Sequence, residues 1–163
     1  MEYYFKIVES PVGRLRLVAT DKALVSVSWE RKSPGGQQNH YEKSDHSILL
    51  ETEQQLNEYF NGERKVFTLN LDFEGTDFQK KVWNALLLIP YGQTSTYGRI
   101  AQQVGEPKAA QAVGAANGKN PIAIIVPCHR VIGGSGKLVG FGGGLKNKLW
   151  LLDLENPEVL PFR

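Results

Sequence analysis

At 163 residues, 41% apolar and 22% charged, the chain suits one or two small domains with packed cores, and its composition excludes disorder. One cysteine, Cys128, excludes an internal disulfide framework and any zinc site built on several cysteines; with no apolar signal core and no apolar run of about eighteen residues, the sequence reads as a soluble, cytoplasmic protein. Net charge is +2 but unevenly spread. Residues 1–75 hold 9 Lys/Arg against 12 Asp/Glu and residues 76–163 hold 10 against 5, so the second half suits an anionic partner.

The first half predicts strands and one helix. Residues 3–8 are aromatic and β-branched, and the turn signal Ser10-Pro11-Val12-Gly13 follows. Residues 14–20 alternate, with Leu15, Leu17 and Ala19 on one face. Asp21-Lys22 makes a tight turn before a third strand over 24–29, and 31–40 reads as a loop. Asp45 is placed to cap a helix running to about residue 61, with Ile48, Leu49, Thr52, Leu56, Tyr59 and Phe60 near one face and Gly62 as its stop. Residues 65–71 predict a further strand, and 72–75 a domain boundary.

The second half changes period. Thr76-Asp77-Phe78-Gln79 fits a capping box, Phe78, Val82, Leu86 and Ile89 follow at helical spacing, and Pro90 ends the helix. Ser95 or Thr96 can cap a short helix over 97–104; Gly105-Glu106-Pro107 breaks the chain; a third helix follows over 108–117. Two short helices joined by a glycine-containing turn form a helix-turn-helix pattern. The third helix carries Ala109, Ala110, Ala112, Gly114, Ala115 and Ala116, so it either packs closely on a neighbour or brings its backbone near something broad, such as a DNA groove.

Residues 120–131 carry the reactive groups. Residues 122–126 form an apolar run that should be buried as a strand; Pro127 fixes the backbone before Cys128, and the glycine-dense stretch 133–144 follows. A thiol becomes a good nucleophile only as a thiolate, and the adjacent His129 and Arg130 offer means to lower its pKa. Side chains of sequence neighbours point apart on extended backbone, so His129 acts on Cys128 through a water or after a turn. Taken alone, a single buried cysteine is more often an inert small hydrophobe.

Several segments together resemble the O6-alkylguanine-DNA alkyltransferases, or methylated-DNA–protein-cysteine methyltransferases. The family's cysteine signature stands as Val126-Pro127-Cys128-His129-Arg130-Val131. Ile89-Pro90-Tyr91-Gly92, Thr96-Tyr97-Gly98-Arg99-Ile100-Ala101, Lys108-Ala109-Ala110, Ala112-Val113-Gly114, Asn120-Pro121, Gly143-Gly144-Leu145 and Trp150-Leu151-Leu152-Asp153-Leu154-Glu155 match as well, in order over about 74–157. Residues 1–73 fit the family's variable N-terminal domain in layout only.

The resemblance implies a two-domain α+β protein. Residues 1–73 would be a small α/β, ribonuclease-H-like domain of about four strands and one helix, and 76–163 a mostly helical, winged-helix-like domain for DNA binding and alkyl transfer. It implies direct-reversal repair: one irreversible transfer of a methyl or larger alkyl group from O6-alkylguanine, and from O4-alkylthymine, in DNA to the cysteine. Cys128, His129 and Glu155 match the catalytic relay, with a water between the first two. Tyr97 matches the donor to guanine N3, and Asn120 the asparagine that braces the turn before the cysteine strand. Val131, Ala123, Phe141 and Gly142 match the pocket for the base and its alkyl group. The helix matching 108–117 would enter the minor groove of double-stranded DNA while the damaged nucleotide flips out. Lys108, Ala109, Ala110, Gln111, Ala112, Gly114, Arg99, Lys119 and Arg130 are the expected DNA contacts. The expected form is a monomer without cofactor or membrane partner, with cooperativity on DNA left open. Zinc occurs near the N-terminus of some relatives, but no cysteine precedes Cys128, so no metal is expected.

Two positions depart from the pattern. Gln111 stands where the family commonly has an arginine that fills the hole left by the flipped base, and Phe141-Gly142 stands where many relatives have tyrosine and a small polar residue. Two other functions remain alternatives: a module that binds alkylated bases without repairing them, against which the presence of Cys128 argues, and a cysteine hydrolase, which leaves the helix-turn-helix unexplained.

Overall fold

The computed structural model describes residues 1–30, 39–134 and 141–159. Contacts cluster into two units, Met1–Phe73 and Glu74–Arg163. Among the described residues no helix is long and apolar enough to cross a membrane.

The first unit is a four-stranded sheet with one helix on it. Strands β1 (Tyr3–Val8), β2 (Leu15–Ala19), β3 (Leu24–Trp29) and β4 (His40–Glu42) lie in the order β3-β2-β1-β4. β2 is antiparallel to both its neighbours, and β4 runs parallel to β1. The turn between β1 and β2 needs a glycine: Gly13 has φ +108 and its N–H donates to the Ser10 carbonyl. Tyr4 stands opposite Ala19, Lys6 opposite Leu17 and Val8 opposite Leu15, so these side chains share a face. Helix α1 (Ser47–Phe60) covers that face with Leu49, Thr52, Leu56 and Tyr59, all almost fully buried, and Lys6 pairs with Glu53 at 2.6 Å.

Three expectations change here. The cap of α1 is His46 rather than Asp45: its ring is buried and stacked on Tyr4, which brings Nδ1 to 3.3 Å from the Ile48 N–H, while Asp45 is exposed. Residues 65–71 form no strand beyond one bridge from Leu71 to Leu24. The Gln55 side chain takes the backbone bonds of Thr68 that a ladder would use, accepting from its N–H at 2.9 Å and donating to its carbonyl at 3.3 Å. The fourth strand is β4, at the end of the expected loop, where Tyr3 N–H donates to the Asn39 carbonyl. Most of that loop, 31–38, lies outside the described residues.

The second unit begins with α2 (Asp77–Leu86). Its capping box is complete, with Thr76 Oγ1 accepting from Gln79 N–H at 3.1 Å and Gln79 Oε1 from Thr76 N–H at 2.9 Å. A Cβ on Gly75 would stand 2.6 Å from the Trp83 ring, so glycine is needed there for close approach. The helix ends four residues before Pro90. After β5 (Ser95–Thr96), α3 (Tyr97–Gln103) starts on a Thr96 cap that accepts from Arg99 N–H at 3.2 Å. Gly105, at φ +81, turns the chain toward α4 (Ala110–Gly118). α4 buries Val113, Ala116 and Asn117 and exposes Gln111, Ala112 and Ala115. The Trp83 indole ties it to α2 by donating to the Ala116 carbonyl at 2.9 Å. A 3-10 turn, Cys128–Arg130, then leads into β6 (Val131–Ile132), parallel to β5, and α5 (Leu145–Glu155) closes the unit.

The apolar run 122–126 is buried as expected but is not a strand. Ile124 has φ +72, rare for a β-branched residue, and only an isolated bridge joins Ala123 to Val126. Asn120 sets this coil. Its Oδ1 accepts from Ile122 N–H at 3.0 Å and its Nδ2 donates to the Val126 carbonyl at 2.7 Å, replacing the bonds a sheet would supply.

Candidate active site

The coil braced by Asn120 delivers Cys128 at the head of the 3-10 turn, 5% exposed. Because the backbone turns rather than extends, His129 does not point simply away from the thiol. Burial pushes the Cys128 thiol up from its usual pKa; the Asn120 hydrogen bond and the Lys148 charge work against that rise.

His129 is fully buried, and its Nε2 lies 2.7 Å from Glu155 Oε2. Glu155 ends α5 and gathers several hydrogen bonds. Besides His129, Arg130 donates from Nε to Oε1 at 2.8 Å and from Nη2 to Oε2 at 3.0 Å, and the Gly92 N–H donates to Oε1 at 3.2 Å. Burial alone would raise this carboxyl, but the hydrogen bonds and charges of His129 and Arg130 outweigh it and hold the pKa at about 2. Glu155 is therefore an anion. Burial outweighs that anion at His129 and lowers its pKa. The neutral ring carries its hydrogen on Nε2, facing Glu155, and Nδ1 is an acceptor. Nδ1 is buried and has no hydrogen-bond partner among the described residues.

Arg130, expected among the DNA contacts, is corrected by this geometry. It is 7% exposed, its Nε and Nη2 donate to Glu155 and its Nη1 donates to the Ile89 carbonyl at 2.7 Å, so the guanidinium is turned into the protein rather than toward solvent. It holds Glu155 in place.

Tyr97 opens α3, half-buried. Burial and the Cys128 charge push its hydroxyl above the usual phenol pKa, so it stays a donor. Val131 and Ala123 are buried beside the cysteine segment. Phe141 is partly buried and Gly142 exposed, and residues 135–140 of their loop lie outside the described residues. Arg99, Lys108, Gln111, Ala112 and Lys119 are exposed, whereas Ala109, Ala110 and Gly114 are partly covered.

The sequence reading missed Lys148. It is fully buried on α5, donates from Nζ to the Val131 carbonyl at 2.7 Å, and is lowered to about 8 by burial while the Cys128 charge pulls the other way. The signal was present: Lys148, Leu151, Leu152 and Glu155 follow an i, i+3, i+4, i+7 pattern, so a lysine occupied a core position of an amphipathic helix. The assembled groups are a buried thiol, a neutral imidazole oriented by a fixed anion, an ammonium near the sulfur and a phenol donor. Such a set suits transfer to sulfur.

Comparison with known proteins places these features in a family. The 6-O-methylguanine DNA methyltransferase ribonuclease-like domain model matches residues 3–73, and the DNA binding domain model of the same enzymes matches 77–157. A Mycobacterium leprae methylated-DNA–protein-cysteine methyltransferase is 50% identical over 158 residues, covering 94% of this chain and 92% of its own. The crystal structure of Mycobacterium tuberculosis O6-methylguanine methyltransferase superposes with a TM-score of 0.87 at 47% identity, over 95% of this chain and 93% of that one. The structure of the M. tuberculosis protein in complex with DNA gives 0.86 at 48% identity, over 96% and 94%. With both models together spanning nearly the whole length, the chain belongs to the 6-O-methylguanine DNA methyltransferase family.

Proposed function

We propose that this protein is a methylated-DNA–protein-cysteine methyltransferase that repairs O6-alkylguanine in duplex DNA by moving the alkyl group to Cys128. The observation that carries the reading is the buried Cys128, His129 and Glu155 constellation directly following a helix-turn-helix. The binding of DNA by the M. tuberculosis relative supports the choice of substrate.

In this reading, the thiol proton passes through an ordered water to His129 Nδ1, and anionic Glu155 stabilises the imidazolium that results. Lys148 stabilises the thiolate. Sulfur attacks the alkyl carbon, the S–C bond forms, the C–O6 bond breaks and its electron pair stays on the guanine. Tyr97 donates at N3; the imidazolium then gives its proton to solvent and Tyr97 regains one from solvent, so the net result is one proton moved from sulfur to the base. The carbonyls of Cys128 and Val131 hold the exocyclic amine, sharing their lone pairs with the donors they already meet: the Val131 N–H and the Asn117 amide at Cys128, and Lys148 at Val131. The backbone near Gly142 holds O6, and Phe141 and Ala123 bound the alkyl group. Dry, fixed donors of this kind stabilise developing charge strongly. The thioether is not cleaved again, so each molecule acts once. O4-alkylthymine falls within the same chemistry.

The face of α4 that carries Ala110, Gln111, Ala112 and Gly114, with Lys108 and Ala109 just ahead of it, enters the minor groove, where small side chains permit close approach. Arg99, Lys108 and Lys119 hold phosphates. The protein acts as a monomer in the cytoplasm. The test is intact mass after incubation with duplex DNA carrying one O6-methylguanine, with Cys128→Ser as control. Gain of one methylene unit, saturating at one per protein and absent in the control, is expected. Tight lesion binding with no gain would instead identify a lesion-binding module.

A further inference from the structure

Two buried polar atoms beside Cys128 have no hydrogen-bond partner among the described residues, His129 Nδ1 and Asn117 Oδ1. Asn117 lies in the last turn of α4, 4% exposed, and donates from Nδ2 to the Cys128 carbonyl at 3.4 Å. That contact fixes the amide's orientation. A carbonyl only accepts, so the nitrogen faces it and Oδ1 faces away. Leaving such an oxygen buried without a donor is unfavourable, and a leucine would fill similar space without that penalty. An asparagine at this position therefore implies a donor.

His129 narrows the donor's chemistry. Its Nε2 hydrogen is committed to Glu155, so Nδ1 also accepts. Both unpartnered atoms are acceptors, and both adjoin Cys128, one in the next residue and one on an amide bonded to its carbonyl. A molecule that gives two hydrogens and keeps lone pairs free satisfies both, and water is the smallest one.

We propose that Asn117 is a positioning residue of the proton relay, holding the relay water jointly with His129 so that the water's lone pairs face the Cys128 sulfur. One water hydrogen bonds to Asn117 Oδ1 and the other to His129 Nδ1. When the thiol ionises, its proton goes to the water oxygen and the water's hydrogen goes to Nδ1; Asn117 gains and loses nothing. The inference rests on the relay described under the proposed function.

The experiment measures Cys128 alkylation by iodoacetamide against pH, by intact mass, in the wild type, Asn117→Leu, His129→Gln and the double variant. Single-turnover repair and affinity are measured on the same O6-methylguanine duplex. Asn117→Leu is expected to move the pH midpoint of thiol reactivity upward and slow repair at least about tenfold with affinity unchanged. In the His129→Gln background it is expected to add nothing, because both residues act through one water. A midpoint unmoved by Asn117→Leu, or a shift additive with that of His129→Gln, overturns the proposal. A midpoint unmoved by His129→Gln overturns the relay itself, a separate failure. If Asn117→Leu does not fold, Asn117→Val carries the same expectations, since it too removes the acceptor.

Discussion

His129 Nε2 and Glu155 Oε2 stand 2.7 Å apart with both side chains removed from water, joining a 3-10 turn to the last residue of a helix 26 positions on. The contact does more than orient a ring. Glu155 also neutralises Arg130, which in turn holds the Ile89 carbonyl, so the imidazole, the carboxylate beside it and the turn after α2 form one connected network. Removing one partner from such a network leaves an uncompensated buried charge.

Acid should therefore unfold the protein through Glu155. Its folded pKa of about 2 lies below the unfolded value of about 4.3, so its contribution is complete above pH 4.3 and is lost as pH falls toward 2. The size is on the order of 3 kcal/mol. His129, also lowered in the fold, begins the loss below about pH 6.5. Urea unfolding at pH 7, 5 and 3 should give a steep decline in the wild type. In Glu155→Gln the decline should be shallower, starting from a pH 7 stability about 3–5 kcal/mol lower. Equal slopes in the two proteins would contradict this account.

Lys148→Met should separate activity from stability. Removing the charge near sulfur should slow single-turnover repair about tenfold at pH 7, and the deficit should narrow as pH rises and the thiolate forms without help. Stability should not fall in step, because a buried ammonium opposes folding when charged. The wild type should gain stability between pH 8 and about 10.4, where the lysine is neutral in the fold and still charged in the unfolded chain. Lys148→Met should lack that gain; rates equal to wild type across the pH range would remove Lys148 from the mechanism.

Gln111 is exposed on the face of α4 read as the DNA surface. Arginine there adds length and charge, so Gln111→Arg should tighten binding to lesion-bearing duplex and speed repair, with a steeper salt dependence. Unchanged affinity and rate, measured by titration and single turnover, would show that this position does not support the flipped state.

Phe141 should bear on which adducts fit. Phe141→Tyr adds a hydroxyl at the proposed alkyl pocket, and the ratio of repair rates for methyl and bulkier adducts should change between the two proteins. An identical ratio would place Phe141 outside the pocket.

Local signals carried much of the architecture. The capping box at Thr76, the turn at Gly13 and the helix-turn-helix break at Gly105 are encoded within a few residues, and all three stand in the fold. The misses are tertiary. Residues 65–71 have a strand's composition, but the amide of Gln55, 13 positions away, takes Thr68's bonds. Residues 122–126 have a buried strand's composition, yet Asn120 folds them into a coil. Arg130 read as a surface cation because nothing local announced its partner 25 positions later. Lys148 and Asn117 were overlooked for the opposite reason: each is a polar residue at a core position, which composition treats as an ordinary helix residue.

The link from Trp83 to the Ala116 carbonyl has an optical consequence. Trp83 is 2% exposed, and its indole rests on the residue immediately before Asn117, so its emission senses the end of α4 nearest Cys128. The chain has three tryptophans, and replacing Trp29 and Trp150 by phenylalanine leaves this one as sole fluorophore. Stopped-flow emission from that variant would then follow, without a label, how the protein around the sulfur readjusts as thiol becomes thioether.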